Sequence, residues 1–108
     1  MVRLYVSGAG EKRKPHHDLA SFKAVFAEDR SIVETARRDA LKMGMTIDDV
    51  ASAIETLVAP HFYKSMSSHR NRSQWQDVYH LPHDGKVIYV KFTDDAVTEF
   101  ALLSFKEK

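Results

Sequence analysis

The chain of 108 residues contains no cysteine. No disulfide framework and no thiolate metal site is open to it, an absence that fits a reducing cytoplasm. No apolar run approaches the roughly 20 residues that span a bilayer. The opening stretch MVRLYVSGAGEKRK lacks the apolar core of a signal peptide. The expectation is a cytoplasmic protein with no membrane partner. Also missing are a Gly-rich phosphate loop, an HExxH or CxxC motif, and a carboxylate pair arranged for glycosidase chemistry. The histidines His16, His17, His61, His69, His80 and His83 follow no standard ligand spacing, so neither metal nor cofactor is expected. No internal repeat or low-complexity segment interrupts the chain.

What remains is the composition of one compact domain over residues 1–108, with 44% hydrophobic and 29% charged residues. The net charge of +1 is unevenly spread. Residues 1–17 carry +3, residues 18–60 carry −3, and residues 61–108 carry +1 together with four histidines. This is a weaker cationic excess than tight nucleic-acid binders show, but it suits an enzyme that must release its product.

Hydrophobic periodicity divides the chain into a helical first half and a strand-rich second half. Val2 to Val6 alternates, which fits a short strand or, with Gly8 and Gly10 close behind, a disordered extension. Asp18 caps a helix over Leu19 to Ala27, whose Leu19, Phe22 and Phe26 share one face. Ile32 and Val33 allow a small strand. Thr35 is expected to cap a second helix that ends at Gly44. Thr46 caps a third, with Asp48 and Asp49 in its first turn and a stripe of Ile47, Val50, Ala51, Ile54, Leu57 and Val58, stopped by Pro60. Four strands then follow, Phe62–Ser67, Trp75–Leu81, Val87–Thr93 and Glu99–Lys106. Pro82-His83-Asp84-Gly85 and Asp94-Asp95 supply turns, and Ser68 to Gln74, with Arg70 and Arg72, is a longer loop. The expected fold class is α+β, with the helices on one face of an antiparallel sheet.

Alternation within each strand says what the other face carries. Ile88, Val90 and Phe92 are core, so Tyr89 and Lys91 face away. Leu103 and Phe105 are expected in the core, leaving Ser104 and Lys106 outside. Gln76 and His80 share a side, opposite Trp75, Asp77 and Tyr79, and Lys64 is expected beside Phe62 and Met66. A face of lysines, a tyrosine, a glutamine and a histidine suits a polyanion better than an apolar ligand. Taken singly, each has an ordinary reading: Lys64 and Lys106 as solvated charges, Tyr89 as a half-buried sheet residue, Gln76 as a neutral surface residue.

The runs Phe62-Tyr63-Lys64-Ser65-Met66, Trp75-Gln76-Asp77-Val78-Tyr79 and Ser104-Phe105-Lys106-Glu107-Lys108, together with Gly85, Val87, Tyr89, Lys91 and the early Glu11-Lys12-Arg13-Lys14-Pro15-His16, resemble the MqsR toxin family over residues 11–108. Residues 1–10 extend beyond the family's usual start. The resemblance implies a RelE-like fold and a toxin of a type II toxin–antitoxin system. The implied activity is a metal-independent endoribonuclease, an mRNA interferase that prefers GC-containing sites. The implied partners are messenger RNA as substrate, an MqsA-like antitoxin, and operator DNA reached only through the antitoxin complex. It also implies the catalytic set Lys64, Gln76, Tyr89 and Lys106. A non-catalytic relative that only binds an antitoxin or DNA is the alternative. The chemistry is sound for this set, because RNA brings its own 2′-hydroxyl nucleophile and needs only proton transfer and cations for the developing charge. Crowding of Lys64 and Lys106 is expected to depress both of their pKa values.

Overall fold

The computed structural model describes residues 10–67 and 73–108. The segment Val2 to Val6 and the loop arginines Arg70 and Arg72 lie outside the described residues. The elements run β1 (Glu11–Lys12), α1 (Leu19–Asp29), α2 (Glu34–Lys42), α3 (Ile47–Glu55), a 3-10 turn (Ala59–His61), β2 (Phe62–Ser67), β3 (Trp75–His83), β4 (Lys86–Asp95) and β5 (Glu99–Glu107). All strands pair with their sequence neighbours, in antiparallel fashion, in the order β1-β2-β3-β4-β5. The α+β expectation holds in both the type and the order of elements.

Each helix starts where the chain provides an N-cap conformation. At α1, the Asp18 carboxylate accepts from the Ser21 N–H at 3.0 Å, and the helix buries Phe22 and Phe26. At α3, the Thr46 hydroxyl accepts from the Asp49 N–H while the Asp49 carboxylate accepts from the Thr46 N–H, a reciprocal capping box. Thr35 does not cap α2. Ile32 bridges to Leu102, the Val33 N–H donates to the Leu102 carbonyl and the Leu102 N–H donates to the Ser31 carbonyl, so the backbone is held extended up to Val33. The helix therefore begins at Glu34, with Val33 at the cap position and no side-chain cap. Nor does α3 run to Pro60. The Thr56 and Leu57 N–H groups donate to the Ala53 and Ile54 carbonyls, which tightens the last turn. Leu57 stays fully buried, but Val58 lies outside the apolar stripe and is exposed.

The core lies between the helices and one face of the sheet. Phe22, Phe26, Val50, Ile54 and Leu57 pack against Tyr79, Leu81, Ile88, Val90, Phe92, Leu102 and Phe105. Phe22 stacks on Phe92 with ring centroids 3.7 Å apart. Two irregularities correct the alternation read from sequence. The register shifts between Phe62 and Lys64. Phe62 turns to the core, edge-on to Tyr79, while Lys64 pairs with Val78. Lys64 thus does not share a side with Phe62. A second shift sets Lys91 opposite Ser104 but Phe92 opposite Leu102, so Leu102 is buried and Leu103 is only partly covered.

The β3–β4 hairpin is also tighter than expected. Asp84 and Gly85 both have positive φ, 48° and 77°, the geometry of a turn whose twist suits two antiparallel strands. Pro82 and His83 consequently remain in the strand, paired with Val87 and Lys86.

Candidate active site

The sheet face away from the helices carries the residues singled out above. Cross-strand pairing, which the sequence leaves open, arranges them in rows. One row runs Met66, Gln76, Thr93 and Ala101; the next runs Lys64, Val78, Lys91 and Ser104; the third runs His80, Tyr89 and Lys106. Tyr89 and Lys106 are direct partners, and the Lys106 ammonium sits 5.7 Å from the Tyr89 ring centre. Lys64 reaches the same region from two strands away, and its charge acts on the Tyr89 hydroxyl. Gln76 stands one row beyond Lys64, and among the described residues no hydrogen bond joins it to the other three. The structure thus gathers Lys64, Tyr89 and Lys106 and sets Gln76 at the rim.

The electrostatics differ from expectation in one respect. Lys64 donates to the Glu11 carboxylate at 2.8 Å. That hydrogen bond, against a smaller opposing effect of burial and with the charge of Glu11 added, holds the Lys64 ammonium above its ordinary pKa. Glu11 is correspondingly lowered by the Lys64 hydrogen bond and charge. Crowding by like charge therefore does not depress Lys64. Lys91 is the lysine that goes down, by burial first and then by the charges of Lys106 and Lys64. Burial pushes the Tyr89 phenol up, with Lys64 opposing, so the hydroxyl is protonated at neutral pH. Burial, and less so Lys108, lowers His80, which stacks on Tyr63 at 4.2 Å between ring centroids.

Sequence reading missed β1 and the group that holds it. Asp77 is fully buried on the helix-side face of β3. Its carboxylate accepts from the His16 N–H at 3.1 Å, the His17 N–H at 2.8 Å and the Ser65 hydroxyl at 2.6 Å. The His17 ring bonds the Trp75 carbonyl at 2.7 Å, and His16 stacks on the Trp75 ring, with Lys12 also over it. Gly10 lies so close that an added Cβ would meet the same ring at 3.3 Å. These contacts lay β1 along β2 and bring Glu11 to Lys64. A two-residue strand has no periodicity to read; the available signal was Asp77 itself, a carboxylate on a core-facing position that needs donors.

Among the described residues no group of three metal-ligating side chains converges, and no helix is long and apolar enough to cross a membrane. A cavity of about 360 Å³ between Met43, Met45, Asp49, His83 and Lys86 lies at the β3–β4 turn, and none of Lys64, Tyr89, Lys91 and Lys106 lines it.

Residues 14–107 match the family described as "Motility quorum-sensing regulator, toxin of MqsA". A curated relative from Escherichia coli (strain K12), the "mRNA interferase toxin MqsR", is 33% identical over 99 residues, 91% of this chain and 99% of the relative. With the open face, its rows of lysines and both of these matches in agreement, the chain belongs to the MqsR toxin family.

Proposed function

We propose that the chain is an endoribonuclease, the messenger-RNA-cleaving toxin of a toxin–antitoxin pair, working in the cytoplasm as one toxin domain. The observation that carries the reading is the convergence of Lys64, Tyr89 and Lys106 on one open sheet face. The printed name of the Escherichia coli relative points the same way.

In the reaction, the 2′-oxygen of the RNA attacks the adjacent phosphorus, and its proton passes to a base. The P–O5′ bond breaks, and the 5′-oxygen takes up a proton. The products are a 2′,3′-cyclic phosphate and a 5′-hydroxyl. Lys64, fixed as a cation by Glu11, and Lys106 bear on the negative charge that grows on the non-bridging phosphate oxygens. Tyr89, protonated, donates a hydrogen bond to a phosphate oxygen or a proton to the leaving group. Gln76 positions the strand, because an amide does not titrate. GC-containing sites are the proposed targets. The proposed partner is an MqsA-like antitoxin, whose complex alone would contact operator DNA. Sheet edges offer such a partner a place to add a strand.

The test is incubation of the purified protein with a defined RNA in excess EDTA. Cleavage that persists and leaves the ends named above supports the proposal. Loss on chelation with recovery on adding a divalent metal would overturn the mechanism. Induction of this chain alone should arrest growth, and co-expression of a neighbouring antitoxin gene should relieve the arrest.

A further inference from the structure

Lys91 occupies the middle of the open face. It stands opposite Val78 on one side and Ser104 on the other, with Lys64 beyond Val78 in the same row. Tyr89 and Lys106 form the next outward-facing pair along β4 and β5. With strands about 4.8 Å apart, the backbone at Lys91 is about 10 Å from that at Lys64. Long lysine stems close that distance easily. Of Lys64, Lys91 and Lys106, only Lys64 has a carboxylate partner among the described residues. Lys64 has the Glu11 carboxylate at 2.8 Å. Lys91 is half-buried and, among the described residues, makes no ion pair and no side-chain hydrogen bond.

We propose that Lys91 is a further catalytic residue of this site, its ammonium touching the non-bridging oxygens of the scissile phosphate. The inference rests on the ribonuclease reading above. A half-buried cation beside two others is poorly hydrated and, among the described residues, has no counter-charge, and its lowered pKa reflects that environment. A phosphate at the centre of the face supplies the counter-charge. As the 2′-oxygen adds, a second negative charge develops on the equatorial oxygens, and the attraction to Lys91 strengthens. An interaction that grows towards the transition state accelerates the step rather than merely binding substrate. Lys91 transfers no proton in this role.

The experiment is single-turnover cleavage of an oligoribonucleotide whose cut site has been located with the parent protein. Lys91→Met keeps an apolar stem, and Lys91→Gln keeps a polar tip; either one that melts like the parent decides the question. Each should cleave roughly 10²–10³-fold more slowly. Affinity for the same oligonucleotide with a 2′-deoxy residue at the cut site should fall less, by under about tenfold. Lys86→Met, at an exposed position beside the β3–β4 turn, should cleave at the parental rate. A neutral Lys91 variant that melts like the parent and cleaves within about threefold of it overturns the inference. If Lys64→Met abolishes cleavage while Lys91→Met does not, this inference alone falls. If the parent protein cleaves no RNA, the ribonuclease reading falls and takes this inference with it.

Discussion

Replacing Asp77 with alanine removes the acceptor for three donors at once: the N–H groups of His16 and His17 and the hydroxyl of Ser65. The carboxylate is fully buried, and so is Ser65. Hydrogen bonds to a charged partner contribute about 1.5–3 kcal/mol each, and a buried donor left alone costs a further desolvation penalty. Water can re-solvate the exposed His16 but not Ser65, so the loss falls short of the full sum. An overall cost of about 3–5 kcal/mol is expected, comparable to breaking a buried charged cluster. A domain of this size holds roughly 5–15 kcal/mol in all. Urea unfolding followed by tryptophan fluorescence reads the effect. With a slope of about 1–3 kcal/mol/M, the midpoint should fall by at least 1 M. Asp77→Asn, which keeps one acceptor oxygen, should cost less than the alanine change. Cleavage by Asp77→Ala, measured well below its melting point, should also drop, because β1 no longer holds Glu11 against Lys64. A midpoint for Asp77→Ala within error of the parent would refute the view that this carboxylate anchors the N-terminal segment.

Lys64→Ala, Lys106→Ala and Tyr89→Phe should each slow RNA cleavage by roughly 10²–10³ with little change in melting, whereas Gln76→Ala should cost less; parental rates for both lysine variants would remove the catalytic assignment. Burial raises the Tyr79 phenol to about 12. The unfolded chain ionises near 10 and the folded chain does not, so stability should fall by roughly 2–3 kcal/mol between pH 10 and 12. Tyr79→Phe should flatten that part of an alkaline denaturation curve, and an unchanged curve would count against the assignment. Glu11 has a lowered folded pKa, so the stability from its pair with Lys64 is present above about pH 4.5 and lost as pH falls through the folded value; Glu11→Gln should remove this component of acid destabilisation, measured by melts between pH 3 and 6.

Local patterns determined the helices and strands, since an apolar stripe or an alternation is complete within about ten residues. Asp18 and Thr46 were readable as caps because their partners, Ser21 and Asp49, lie three residues on. The membership of the open face was legible for Gln76, His80, Tyr89, Lys91 and Lys106, because side chains alternate along a regular strand. Strict alternation puts Lys64 beside Phe62 and Leu103 in the core, and the structure departs from both because a bulge breaks the period of two without leaving a mark in the local pattern. Tertiary structure alone decided which residues meet. Glu11 and Lys64 are 53 residues apart, and His16 and Asp77 are 61 apart. Such pairings depend on strand register and on how the helices return the chain to the sheet edge. That is why the ion pair that fixes the charge of Lys64, the clamp at Asp77 and the central place of Lys91 became visible only in the folded protein.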